Sequence, residues 1–286
     1  MAELFRTVED ARAFVRRVRE QGETLALVPT MGFLHEGHLS LMREGKRRAD
    51  VCAATIFVNP AQFGPKEDLS RYPRDLEGDL KKCDQAGVDA VWAPERDQVY
   101  PQGYQTYVDV TELSKGLCGE RRPGHFRGVA TVVTKLLALF RPDVALFGEK
   151  DFQQLRVIQR LNADLNLGVE VVGLPIVREP DGLAMSSRNS YLSTAERQRA
   201  LSLQRGLLAA QALCEQGRVN ARELVGAVRA ELEAEEGVRT DYVELVDSET
   251  LAPVIRVADR PARLLVAAYV GATRLIDNLE LREPSE

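Results

Sequence analysis

Leu25-Ala26-Leu27-Val28-Pro29-Thr30-Met31-Gly32-Phe33-Leu34-His35-Glu36-Gly37-His38-Leu39-Ser40-Leu41-Met42 is the stretch that decides the fold. It opens on an apolar run that reads as a buried strand and closes on the start of a helical pattern. His35 and His38, three residues apart, therefore fall on a strand-to-helix turn and share one face of the first helical turn. The chain has only three histidines, so the pairing carries weight. A helix N-terminus offers N–H groups without intrahelical partners and a partial positive charge, which suit a phosphate. Gly32 and Gly37 remove side-chain bulk where a nucleotide would approach the backbone. Two other readings stand beside this one. A histidine pair at helical spacing is often an accident of surface or core. Zinc is the second, but H-E-G-H lacks the i, i+4 spacing of a zinc helix, and no cysteine or third histidine follows at a zinc-like distance.

Outward from this turn, strands and helices alternate. Thr7 caps a helix with Asp10 at its third position, running to about Gln21. A strand over 24–28 follows, then the helix opened by His38. Residues 51–58 form a continuous apolar run, as a strand buried on both faces requires. Helices are predicted over 75–86, 128–140 and 150–165, and strands over 88–93, 144–147 and 169–174. That spacing predicts an α/β fold with a doubly wound parallel sheet. After about residue 176 the pattern changes. Ser193 with Glu196 makes a capping box ahead of a helix of about twenty residues. Asn220 with Glu223 opens another, ending near Glu236, and strands follow over 242–246, 264–270 and 273–279. Two domains are expected: residues 1–176, and a smaller α+β domain over 177–286 that closes over the active site.

The bulk numbers set bounds. A chain of 286 residues holds a large core and room for two domains. At 44% apolar and 28% charged it has the composition of a soluble globular protein. No apolar run is long enough to span a bilayer, and Met1–Arg6 reads as leading directly into an amphipathic helix without a signal-peptide core. Cys52, Cys83, Cys118 and Cys214 are widely spaced with no C-x-x-C, which points to a reducing compartment. A net charge of -5 argues against a non-specific nucleic-acid binder and leaves a small anionic ligand open.

The remaining chemical candidates sit at strand ends, where parallel sheets bind ligands. Asn59 and Gln62 offer donors and acceptors to a substrate carrying hydroxyls and a carboxylate; Asn59-Pro60 also reads as a plain turn. In the next group, Gly148 admits a nucleotide against the backbone and Lys150 supplies a point charge for a phosphate. Asp151 can cap the helix or accept a ribose hydroxyl, and Gln154 lies one turn beyond Lys150. An ordinary charged helix start is the alternative. Ser186, Ser187 and Arg188, after a Pro180-Asp181-Gly182 turn, form a set of phosphate donors or else a capping loop. Arg121, Arg122, His125 and Arg127 make a basic loop, either solvated or holding an anion such as a carboxylate.

In this order, the motifs resemble those of the pantoate–β-alanine ligase family. The matching stretches are P-T-M-G-F-L-H-E-G-H (29–38), F-V-N-P-A-Q-F (57–63), Y-P-R (72–74), R-P-G-H-F-R-G-V (122–129), F-G-E-K-D-F-Q-Q (147–154) and D-G-L-A-M-S-S-R-N (181–189). Other ATP-cleaving nucleotidyl transferases share only the H-x-G-H turn and a loose equivalent of M-S-S-R. Beyond about residue 195 the resemblance rests on length. It implies a Rossmann-like sheet of nucleotidyl transferase type. It also implies a two-step reaction, in which ATP and (R)-pantoate give pantoyl adenylate and pyrophosphate, and β-alanine then gives pantothenate and AMP. The resemblance further implies Mg²⁺ with ATP and a cytoplasmic homodimer; with the charge and the lack of a long apolar run, neither nucleic-acid nor membrane partners are expected. The implied ATP contacts are Met31, Gly32, Phe33, Leu34, His35, Glu36, Gly37, His38, Gly148, Glu149, Lys150, Asp151, Val177, Met185, Ser186, Ser187 and Arg188. His38 is the implied catalytic acid; His35, Lys150, Ser186, Ser187 and Arg188 are donors to the developing charge. Gln62 and Gln154 hold pantoate, Gln62 also lies near β-alanine, and Asn59 and Arg122 are further substrate candidates. No Mg²⁺ ligand is assigned; Asp79 and Glu149 are candidates to stand behind the ion without touching it. Two rival functions remain: another nucleotidyl transferase of the same fold, which would need room for a second nucleotide where Gln62 and Gln154 suit a small polyol acid, and a regulator that holds ATP without turnover, which would not require so many donors.

Overall fold

The computed structural model describes residues 1–65, 67–258 and 260–283. The chain runs through β1 (Glu3–Phe5), α1 (Val8–Glu20), β2 (Leu25–Thr30), α2 (Glu36–Arg48), β3 (Val51–Ile56), α3 (Leu76–Gln85), β4 (Ala90–Trp92) and α4 (Arg96–Val99). It continues through α5 (Leu117–Arg121), α6 (His125–Phe140), β5 (Val144–Gly148), α7 (Phe152–Asp164) and β6 (Glu170–Leu174). Thr7 starts α1 as its spacing predicts: its hydroxyl accepts the Asp10 N–H, and the helix buries Ala11, Phe14, Val15 and Val18 on one face. β1 is a correction, because the reading from sequence runs straight into α1. Three residues are too few for a periodic signal; pairing with β4, Leu4 opposite Val91, makes them a strand.

Among the described residues, six parallel strands form one sheet in the order β1-β4-β3-β2-β5-β6. Leu25, Ala26, Leu27 and Val28 are fully buried, so this strand reads as an unbroken apolar run. From β2 the chain winds one way to β3 and β4, and later the other way to β5 and β6. The border between β2 and β5 is therefore where the strand order reverses, the usual ligand crevice of an open α/β sheet.

Internal contacts divide the chain into two units, Met1–Glu149 with Gln153–Pro175, and Lys150–Phe152 with Ile176–Glu286. The second contains α8 (Thr194–Ala200), α9 (Ser202–Glu215), α10 (Ala221–Glu233) and antiparallel β7 (Val238–Asp247), β8 (Ala262–Val270) and β9 (Thr273–Leu281). The Ser193–Glu196 capping box forms. The single long helix expected after it is interrupted at Leu201, whose N–H bonds to Gln198 O at 3.3 Å, a tighter i−3 link. Leu203, Leu207, Leu224, Val228 and Leu232 share a core with Leu264, Val266 and Ala268 of β8. Among the described residues no helix is long and apolar enough to cross a membrane.

Candidate active site

The turn after β2 reverses through two left-handed residues, Gly32 at φ 78° and Phe33 at φ 51°. For Phe33 this costs about 1–2 kcal/mol, so the turn needs outside support. Thr30 Oγ1 donates to Thr55 O (2.6 Å) and accepts the Gly32 N–H (3.2 Å). The Asp79 carboxylate, 1% exposed, accepts the N–H groups of Phe33 and Leu34 at 2.7 Å each. Lys82 Nζ donates to Leu34 O at 2.8 Å. His35 then stands at the N-cap of α2 and His38 at its third residue, ring centroids 4.1 Å apart. The His35 N–H donates to His38 Nδ1 at 3.3 Å, so neutral His38 carries its proton on Nε2. Glu36 and Gly37, the first two residues of α2, have N–H groups with no intrahelical acceptor, the usual place for a phosphate oxygen. Those of Phe33 and Leu34 are committed to Asp79.

The turn after β3 is built around Asn59, 1% exposed. Its Oδ1 caps a 3₁₀ turn, Pro60–Gln62, by accepting the Ala61 N–H (3.3 Å), and also accepts the Tyr100 hydroxyl (2.8 Å). Burial pushes the Tyr100 phenol up, so it stays a donor. Asn59 Nδ2 donates to Gly128 O (3.1 Å) and Gln62 Oε1 (3.0 Å). Only a glycine fits at 128, where a Cβ would lie 2.2 Å from Ala61 O. Gln62 Nε2 rests on the weak acceptor Met31 Sδ at 3.1 Å, a bond that a substrate oxygen would improve upon.

Arg122 lies behind Gln62. Its guanidinium forks onto Glu67 at 2.9 and 2.6 Å, and its Nη1 is 3.0 Å from His125 Nε2. Arginine can only donate, so His125 carries its proton on Nδ1 and donates to Gln62 O at 2.9 Å. Burial pushes the Glu67 carboxyl up, but the Arg122 bonds and charge outweigh it and hold the group below the usual range. Arg122, read from sequence as a substrate contact, is thus bound to a carboxylate and supports the Gln62 main chain.

Beyond β5, extending the register Leu27↔Ala145 brings Gly148 level with Thr30. Gln153 is 3% exposed: its Oε1 accepts the Cys118 N–H (3.0 Å) and its Nε2 donates to Leu113 O (3.0 Å), pinning the segment before α5. The sequence reading missed this role. Gln154, the next residue, is half-buried. In the second unit, Lys150 O accepts Asn278 Nδ2 at 3.0 Å, and Lys150 Nζ lies 3.9 Å from Asp151 Oδ2. A hairpin through Pro180-Asp181-Gly182 joins the Met185 N–H to Val177 O (3.0 Å), bringing together two predicted ATP contacts. Arg178 fastens the hairpin to buried Asp277 through two bonds, at 2.7 and 3.0 Å. Ser186 caps the 3₁₀ turn Ser187–Tyr191 by accepting the Arg188 N–H (3.3 Å). A separate cavity of about 450 Å³, bordered by Arg12, Val15, Trp92, Lys135 and Arg141, contains none of these predicted residues.

A doubly wound parallel sheet with H-x-G-H at the carboxyl end of β2, and a small α+β unit after it, defines an enzyme of the nucleotidyl transferase type. The family model described as pantoate-beta-alanine ligase matches residues 3–280. The chain is 68% identical over 280 residues to the pantothenate synthetase of Myxococcus xanthus, covering 97% of this chain and 96% of that protein. It is also similar to the crystal structure of the Thermus thermophilus pantothenate synthetase (TM-score 0.93, 47% identity, 98% and 99% of the two chains covered). A third relative is the Francisella tularensis pantoate-beta-alanine ligase, solved in complex with beta-gamma ATP and beta-alanine (TM-score 0.82, 30% identity, 100% and 99% covered). The chain belongs to the pantoate–β-alanine ligase family.

Proposed function

We propose that this ligase condenses (R)-pantoate with β-alanine through a pantoyl adenylate, with His38 and the Gln62 turn at the reacting centre. The observation that carries the assignment to these residues is the His35–His38 turn at the carboxyl end of β2, in a chain matched by its family over residues 3–280.

A pantoate carboxylate oxygen attacks the α-phosphorus of ATP, and the bond to the bridging oxygen breaks to release pyrophosphate. Charge grows on the α-phosphate oxygens and on the leaving group, so catalysis consists of placement and donors. His38 Nε2–H serves the departing oxygens, its orientation set by the His35 N–H. His35, Lys150, Ser186, Ser187 and Arg188 are further donors in this reading. Met31 to His38, Gly148 to Asp151, Val177 and Met185 border the nucleotide. Gln62 and Gln154 take the pantoate oxygens, with Asn59 aiming Gln62. The β-alanine amine then attacks the adenylate carbonyl, and AMP leaves. The substrate carboxylate is the nucleophile, so no enzyme nucleophile is needed; burial holds the Cys52 and Cys83 thiols up at about 12 and keeps them inert.

Mg²⁺ would shield the phosphate charge. Among the described residues no three of His, Cys, Asp and Glu converge as a cage, which fits an ion carried mainly by phosphate oxygens and water. The reading also includes residues 177–286 as a part that closes over the adenylate, and a homodimer in the cytoplasm; family membership and four buried thiols support it.

The test is pyrophosphate release from Mg-ATP with (R)-pantoate alone, then with β-alanine added. A single-turnover burst with pantoate alone, then β-alanine-dependent AMP and pantothenate, is the expected result. Nucleotide binding without pantoate-dependent pyrophosphate would overturn the reading.

A further inference from the structure

We propose that Asp79 and Lys82 of α3 are positioning residues for adenylate formation, a clamp that sets the main chain of Phe33 and Leu34 and thereby aims His35 and His38. This rests on the function proposed above. The two Asp79 oxygens are shared between consecutive amides, Oδ2 with Phe33 and Oδ1 with Leu34, at 2.7 Å each. One rigid carboxylate spanning two N–H groups fixes the intervening dihedral angles, including the positive φ of Phe33. Lys82, one turn further along α3, grips the same Leu34 residue at its carbonyl (2.8 Å), and its ammonium lies 6.0 Å from the Phe33 ring centroid. Leu34 is thus held at both main-chain polar groups immediately before His35, the N-cap of α2.

The fit leaves little slack. A Cβ on Gly32 would lie 2.9 Å from Asp79 Oδ2 and 2.9 Å from Ile56 Cγ2. The clamp also sorts the amides. It withdraws those of Phe33 and Leu34 from any ligand and leaves those of Glu36 and Gly37 at the start of α2. Burial disfavours the charged form of Asp79, and its two amide bonds offset only part of that cost, so the carboxylate stands here despite its desolvation. Geometry is the gain: a misplacement of about 1 Å at a reacting group costs about 10²-fold in rate.

The experiment compares wild type with Asp79→Asn, Lys82→Met and Lys82→Arg in two half-reactions. Pantoate-dependent ATP–pyrophosphate exchange reads the first. Single-turnover aminolysis of supplied pantoyl adenylate by β-alanine reads the second, which needs no triphosphate placement. An amide at 79 presents one acceptor and one donor to two N–H groups, so exchange is expected to fall about 10²-fold in Asp79→Asn, with aminolysis within about twofold. Lys82→Met is expected to lose about tenfold in exchange, and Lys82→Arg to recover most of it. Amide hydrogen exchange at Phe33 and Leu34, slow in wild type and fast in Asp79→Asn, reads the clamp without any turnover. Undiminished pyrophosphate exchange in both Asp79→Asn and Lys82→Met would overturn the proposal, as would an equal fall in both half-reactions or unprotected wild-type amides. Wild type without pantoate-dependent exchange but with protected amides would instead overturn the proposed function and leave the clamp standing.

Discussion

Asp79 lies 1% exposed under the β2 loop and is held by two main-chain N–H groups, whereas Glu179 and Asp181 in the 177–185 hairpin share the guanidinium of Arg197 at 2.9 and 2.8 Å in partly solvated positions. The first device uses neutral dipoles around a buried charge. The second uses opposite charges near water. Dipoles fix geometry and respond little to salt; partly exposed ion pairs are screened by it. The two carboxylates also titrate in opposite directions. Burial pushes Asp79 up despite its amide bonds, and the Arg197 bond holds Glu179 below the usual carboxylate range. The β2 loop is thus tied through its main-chain N–H groups, and a hairpin in the other unit through its side-chain carboxylates.

The largest expected effect is on chemistry. His38→Ala or Lys150→Ala should lower pantoate-dependent pyrophosphate release by about 10²–10³ while circular dichroism and the melting temperature stay near wild type. Near-normal turnover in His38→Ala would remove the β2 loop from the comparison as a catalytic element, and near-normal turnover in Lys150→Ala would remove Lys150 from the proposed donors. Next, Asp277→Ala should destabilise the protein by about 1.5–3 kcal/mol in urea unfolding, because Arg178 loses both charge-assisted bonds to a buried acceptor. A loss below about 0.5 kcal/mol would mean that the hairpin is held by packing instead.

Titration sharpens the contrast. Glu179 is depressed when folded, so its contribution is present above the ordinary glutamate value and is lost as pH falls through the depressed one. Asp79 is raised, so its cost is present at neutral pH and is relieved as pH falls through the folded value. Side-chain carboxyl ¹³C resonances should therefore titrate above the usual aspartate range for Asp79 and below the usual glutamate range for Glu179; the reverse order would overturn this account. The smallest effect is at Arg197→Gln, about 0.5–1 kcal/mol at low ionic strength and nearly nothing in about 1 M salt. Amide exchange at Phe33 should not change over the same salt range, and a parallel change would erase the distinction.

Much of this was legible in the sequence because its signals are local. Thr7, Ser193 and Asn220 cap helices through partners two or three residues away, so their spacing alone locates those helix starts. Apolar runs at 25–28 and 51–58 mark strands buried on both faces, the second ending at Ile56, and two histidines three apart mark the β2–α2 turn. Tertiary structure alone decided the rest. β1 became a strand by pairing with residues about 87 positions away. Neighbouring Gln153 and Gln154 differ only in what they face; Gln153 reaches Cys118, 35 residues back. Arg122 met Glu67 across 55 residues, and Asp79 met Phe33 across 46. The physical reason is the same each time: periodicity and caps arise between residues a turn or less apart, while a buried polar group takes whichever partner the packed fold brings to it, a choice that no local pattern encodes.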